Sequence, residues 1–570
     1  MKYTVSYEQA HTHYINIQLR VKTQGAKRLN FQLPAWRPGR YELGNFAKNI
    51  QKWQAYDEHG SPLSFFKKTK DLWEVACEGV EQVEIRYNYF AAELNAGSTY
   101  LDPEQLYLNP VNCFLYLPDR QDEACTLELA VPEDYKIAIA LPEQQERQFV
   151  AENFDQLADS PFIASPTLKK LEYKLEQTSF YLWFQGECKL PEKQLLQDFK
   201  AFTKEQINFF GDFPTSEYHF LFQIHTSTTY HGVEHAASTV ISIGPSYQVF
   251  DWKGRYEDLL GVSSHELFHT WNVKRIRPSE MWPYDFSKEN YTRLGYLAEG
   301  ATTWYGDLML WRSKVFQEQH FFKTFDQLLN RHFNNPGVRN LSVADSSFDT
   351  WLDGYSMGVP NRKSSIYTEG ALITFMLDVA IRKATEQQKS FDDVMRNFYH
   401  HYFKANKGIG ESDYQSEVEK VAGSSMADFF KAYVNGAEDI AEVLEESLNY
   451  FGLRYTRSAL EAYHESYLGF KLLEGKVAMI YPDSIAERAG LALGDEILSI
   501  NDIKLDNNLA EWCKYFEGEK LVFTLATARK QIKQISMKAA GTLYFANYQI
   551  KKQEKPTDAQ QAAFEVWQVG

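Results

Sequence analysis

His265-Glu266-Leu267-Phe268-His269 fits the pattern H-E-x-x-H. On a helix, positions i and i+4 project from one face, so both imidazoles can reach one cation while Glu266, beside the first, can take a proton from a water there. Leu259, Leu260 and Val262 precede the motif, and Leu267, Phe268 and Trp271 share its helix. These apolar residues predict a helix pressed against a core, where two histidines without a partner would be poorly accommodated. A catalytic zinc takes three protein ligands and keeps one position open. Thirty residues beyond His269, in the stretch GYLAEGATTWYGD at 295–307, Glu299 is the acid of an otherwise apolar and small helical turn. The expectation is one Zn2+ per chain held by His265, His269 and Glu299, with Glu266 as general base.

Around this helix the chain changes texture twice. From Tyr3 to about Phe184, short β-rich runs with period-two character recur at 15–21, 82–87 and 126–131, separated by Gly and Pro breakers. Residues 1–185 therefore read as an antiparallel β domain, a sandwich or open barrel. Helical spacing appears at 193–210 and a strand at 219–224. From Tyr256 to about Ser447 the long segments are helix-like, including 296–316, 321–332, 367–384 and 390–402. That makes 186–450 a mixed α and β core with a helical body. Strands return at 476–480, 496–500 and 520–525 around a short helix at 484–489, a small β module over 455–545. Residues 546–570 read as a tail, with 551–561 polar enough to be mobile.

A chain of 570 residues is too long for one ordinary core, and about three or four domains are expected. With 44% hydrophobic and 15% aromatic residues, intrinsic disorder is excluded. Sixty Lys and Arg against 76 Asp and Glu leave a net charge of -16, which argues against nucleic acid or an anionic membrane as partner. The most apolar helical stretch, 370–381, is twelve residues long and carries Asp378, short of the roughly 18 to 20 that span a bilayer. The first residues lack the apolar stretch of a signal peptide, and five cysteines form no CxxC pair. A cytoplasmic, reducing location is the expectation.

His265, Glu266, His269 and Glu299 together resemble the gluzincin metallopeptidases, which include thermolysin and aminopeptidase N. The words HELFHTWNVKRIRP at 265–278, LAEGATTWYGD at 297–307 and LPAWRPGRY at 33–41 are similar to the glycyl aminopeptidase family, whose members carry a C-terminal PDZ domain. The resemblance spans essentially the whole chain. It implies a multidomain α+β protein: an N-terminal antiparallel β domain, a thermolysin-like zinc catalytic domain with a mostly helical body, and a C-terminal PDZ domain.

It also implies roles. Tyr230-His231-Gly232-Val233-Glu234-His235 stands where aminopeptidases of this clan have their exopeptidase strand, so the backbone around Gly232 and Val233 would pair with an extended peptide and Glu234 would bind its free α-ammonium. The stretch departs from the Gly-Ala-Met-Glu-Asn form of aminopeptidase N at Val233 and His235. Tyr367-Thr368-Glu369-Gly370 resembles the turn that supplies a transition-state tyrosine, which makes Tyr367 the oxyanion donor and Tyr355 the reserve. Asp307 is a candidate to orient an imidazole. In the terminal module, residues 484–501 look like the PDZ pattern, and Leu468, Gly469 and Phe470 fit its carboxylate-binding loop, with the C-terminus of a peptide as ligand. The activity implied is release of small amino-terminal residues, glycine or alanine, from peptide substrates. Two other readings stay open: a zinc endopeptidase or oligopeptidase using the PDZ module to capture substrate, and a catalytically degenerate peptide-binding protein.

Overall fold

The computed structural model describes residues 1–356 and 358–570. The period-two runs of the first 165 residues form a seven-stranded sheet, ordered Glu143–Gln145, Gln148–Ala151, Cys125–Ala130, Lys2–Ser6, Tyr14–Lys22, Gln82–Phe90 and Ile50–Tyr56. Sheets of four and three strands complete this region. Alternation puts Ile15, Ile17, Leu19 and Val21 inside, against Val83, Ile85 and Tyr87 of the neighbouring strand. One pairing is not antiparallel: Lys2–Ser6 runs parallel to Cys125–Ala130.

The boundary expected at 185 lies too far along the chain. Lys169–Leu175 and Thr178–Gln185 join Glu217–Ile224, Ser238–Gly244 and Thr229–Glu234 in a separate five-stranded sheet, in that order. Thr178–Gln185 pairs in parallel with Glu217–Ile224, and Phe180, Leu182 and Phe184 sit in the same core as the HExxH helix. Their alternation would suit either domain; long-range pairing decides. The strand Thr229–Glu234 runs antiparallel to its one neighbour and forms the sheet edge.

The helical body follows the spacing expected, with helices at Glu192–Phe210, Glu318–Phe333, Ile366–Ala384 and Phe391–Asn397. A smaller core cluster of Ala96, Tyr107, Ala138 and Ile163 with Trp183, Leu221, Val233 and Val240 joins the first region to the five-stranded sheet. The terminal module has its own core, built from Leu468, Phe470, Val477, Ile497, Phe523 and others.

Residues 546–570 are not a loose tail. Ala546–Lys552 pairs antiparallel with Leu453–Ala459, forming a two-stranded stem from which the module hangs. Asn330 and Asn334 side chains bond the backbone of Tyr548 and Ala546. The helix Asp558–Val569 then returns to the body: Trp567 is fully buried and stacks on Phe451 with ring centroids 4.4 Å apart. The polar run at 551–561 hides the apolar positions on both sides of it. Among the described residues no helix is long and apolar enough to cross a membrane.

Candidate metal centre and peptide cleft

The motif helix spans Tyr256–Phe268, and His269 caps it in helical conformation, so the i, i+4 relation of the two histidines holds. Their Nε2 atoms lie 3.0 Å apart. Glu299 sits in a single π-helical turn, Tyr296–Ala301, that runs into the helix Thr302–Arg312; such turns recur at functional sites. Its Oε2 is 3.5 Å from His269 Nε2 and 4.0 Å from His265 Nε2. Ligand atoms about 2.1 Å from a tetrahedral centre stand roughly 3.4 Å from one another, so these three can hold one metal ion, and one ligand atom from each lies within 4.8 Å of the others. Glu266 is buried and its Oε2 has no hydrogen-bond partner among the described residues.

Neighbours fix these side chains. His269 Nδ1 is 2.6 Å from the carbonyl oxygen of Asn272, which sets the ring so that Nε2 faces Glu299. The Asn272 amide in turn donates to the Leu297 and Ala298 carbonyls and to Thr302, tying the end of the motif helix to the Glu299 turn. Tyr41, from the N-terminal region, donates its hydroxyl to Glu299 Oε1 at 3.0 Å. Asp307, expected to orient an imidazole, lies instead on the cleft wall, where burial raises its carboxyl to about 7.

The electrostatics favour a cation. Burial pushes His265 well below the usual imidazole range, while at His269 the hydrogen bond and charge of Glu299 overcome burial and raise it to about 9. Burial raises Glu266 to about 8, with Glu234 and Glu299 adding to the shift and His269 and Arg37 opposing it. Glu234 and Glu299 crowd Glu266, a repulsion that a cation between them would relieve.

The edge strand forms the other wall. A Cβ on Gly232 would stand 2.1 Å from Glu266 Oε1, so only glycine lets the strand approach this closely. Val233 points away, fully buried against the first region. Glu234 returns to the cleft, backed by Gly39, whose added Cβ would lie 2.5 Å from its Oε2. Tyr367 reaches the same cleft because Gly300 and Gly370 let two helices touch; a Cβ on Gly300 would be 2.3 Å from the Gly370 Cα. The Tyr367 side chain is 37% exposed, yet loss of water around it, with Glu299 adding to the effect, raises its phenol above the usual range. Tyr355 lies nearby under the Arg40 guanidinium, 4.4 Å from its ring centroid. The cleft has a volume of about 400 Å³.

Tyr41, Gly39 and Arg37 were not expected in the site, although all three belong to the word LPAWRPGRY; its density of motif residues is the one signal that could have found them. In the terminal module Leu468 and Phe470 are buried in the core, and the Gly469 N–H donates to the His464 carbonyl at the end of a π-helical turn. That amide is taken within the loop itself.

Family models match residues 2–166 as the Peptidase M61 N-terminal domain, 258–373 as M61 glycyl aminopeptidase and 476–527 as a PDZ domain. Two of these models are of M61 peptidases, and the chain is similar to that family over both the N-terminal region and the HExxH helix with Glu299. It is a peptidase. Over 100% of both chains it superposes on an aminopeptidase N family protein from Idiomarina loihiensis, with a TM-score of 0.90 at 23% identity, so the chain shares that fold. An M1 zinc metallopeptidase from Deinococcus radiodurans matches 77% of this chain and 93% of its own at 14% identity, with a TM-score of 0.47. No curated protein matches the sequence.

Proposed function

We propose that this protein is a zinc aminopeptidase that releases the first residue of a peptide, with a preference for small residues. The observation that carries the reading is one cleft holding the His265, His269 and Glu299 group, Glu266 against Gly232, and Glu234 two residues along the same strand. A zinc ion held by those three ligands would supply a Lewis acid that polarises the scissile carbonyl and lowers the pKa of water towards about 7.

The side chains divide the remaining work. The edge strand pairs with an extended substrate, and the Glu234 carboxylate takes its α-ammonium, which places the first peptide bond beside Gly232 and Glu266. Glu266 accepts a proton from the attacking water and delivers it to the departing amine; a carboxyl with a raised proton affinity suits both steps. Tyr367, kept protonated by its surroundings, donates a hydrogen bond to the developing oxyanion. The glycyl aminopeptidase match supports glycine or alanine as the first residue.

The test uses glycyl and alanyl peptides, free and N-acetylated, with chelation and zinc add-back. Free peptides should be cleaved and acetylated ones not, with activity lost on chelation and restored by zinc. Glu266→Gln should keep its metal and lose at least about 100-fold in kcat, and Glu234→Ala should raise KM for free peptides. Equal cleavage of acetylated peptides would instead assign an endopeptidase.

A further inference from the structure

The cleft is longer than one aminoacyl residue needs, and its lining is acidic apart from a basic stripe on one wall. Tyr230, Gly232 and Glu234 share one face of the edge strand and all line the cleft. At roughly 3.3 Å per residue, Glu234 and Tyr230 stand about 13 Å apart with Gly232 midway. If the amine sits at Glu234 and the scissile bond at Gly232, the leaving portion reaches Tyr230 within about two residues.

The helix Glu318–Phe333 forms the facing wall, presenting Lys323, Gln327 and Arg331 at four-residue spacing with Thr324 beside them. That stripe is about 12 Å long. Lys323 is neutralised by Glu257 at 2.6 Å. Arg331 has no ion pair or hydrogen bond among the described residues. Its neighbours are both committed, Asn330 to the stem strand and His332 to Glu369 at 2.8 Å. Arg331 and Tyr230 both line the cleft, near enough for the guanidinium charge to bear on the phenol. The other charged groups lining the cleft are mostly acidic, Glu234, Glu257, Asp258, Glu266, Glu299 and Asp307, and Asp258 and Asp307 bear on Tyr230 as well, so Arg331 is, among the described residues, the one unpaired cation there that attracts an anion.

We infer that Arg331 receives the C-terminal carboxylate of the substrate, so that the preferred substrates are peptides of two or three residues with a free C-terminus. The inference rests on the aminopeptidase reading. A dipolar short peptide then matches the cleft at both ends, with its ammonium on Glu234 and its carboxylate on the one uncommitted cation, held by a charge-assisted and geometrically forked pair.

Kinetics on alanyl di- and tripeptides, their C-terminal amides, an alanyl hexapeptide and the N-acetylated forms test it. In the parent, KM should be about tenfold higher for the tripeptide amide than for the acid, and higher for the hexapeptide than for the tripeptide. Arg331→Gln should bring the amide-to-acid ratio close to one, and Arg331→Lys, which keeps the charge but loses the fork, should give a ratio between those of the parent and Arg331→Gln. Equal KM for acid and amide in the parent, or an unchanged ratio in Arg331→Gln, would overturn the inference. Should Arg331→Gln fail to fold, as judged by thermal melting, the parent's acid, amide and length series still decides. Cleavage of acetylated peptides would be the separate failure of the aminopeptidase reading.

Discussion

Gly232→Ala is the sharpest probe of the cleft, because it adds one methyl group at a place where the geometry leaves no room. The new Cβ would stand 2.1 Å from Glu266 Oε1, 2.7 Å from Cδ and 2.9 Å from Cγ. Real contacts of this kind stay above 3.0 Å, so the carboxylate must withdraw by about 0.9 Å or the strand must lift. Gly232 has no left-handed backbone angle, and its pairing with Ile241 survives the change. The cost therefore falls on position rather than on folding. A displacement near 1 Å in a reacting group costs about 100-fold in rate, and kcat should fall by roughly that factor. Metal content, measured by elemental analysis, and melting temperature should stay close to the parent. Activity within about threefold of the parent, with the metal bound, would refute the placement of Glu266 against this strand.

Two further outcomes test the supports of the site. Tyr41→Phe removes the hydroxyl that holds Glu299 Oε1 and should weaken zinc binding by 10- to 100-fold, read by competition with a chelator; unchanged affinity would make Tyr41 a packing residue. Asp159 accepts hydrogen bonds from His235, the Ala236 N–H and Lys274 at 2.7 to 2.9 Å. Burial alone would raise its carboxyl, but Lys274 and His235 hold it well below the usual range. A depressed pKa contributes stability above the unfolded value near 3.9, and that stability is lost as pH falls through the folded value. Asp159→Asn should therefore cost about 3 to 5 kcal/mol at pH 7, with the deficit smaller by about 1 kcal/mol at pH 3, where the unfolded carboxyl is protonated and the folded one is still ionised. An equal deficit at both pH values in denaturant titrations would contradict it.

The parts of the site that the sequence disclosed are those written in local spacing. His265, Glu266 and His269 share one helix face, and Glu299 stands out because its turn is otherwise apolar and small. The orientation of His269 was beyond such reading, since its partner is a backbone carbonyl that any residue at 272 could offer. Tyr41 lies 258 residues from Glu299, and nothing local links them. The strands at 169–185 alternate as any half-buried strand does, so their sheet was decided by partners at 217–223. In the segment after 545, Ala546, Tyr548 and Ile550 alternate, and Ala563, Phe564 and Trp567 follow helical spacing. The intervening lysines, glutamine and glutamate masked both patterns.

The return of Asp558–Val569 to the body ties the order of synthesis to the completion of the core. Trp567 packs against Trp304, on the helix that continues from Glu299, and against Phe321 and Phe375. A ribosome delivers residues 558–569 only after the whole PDZ module has emerged. Until then the hydrophobic layer behind the Glu299 helix lacks its last aromatic, and a nascent chain carrying every residue of the cleft still waits for a segment some 260 positions downstream to seal it.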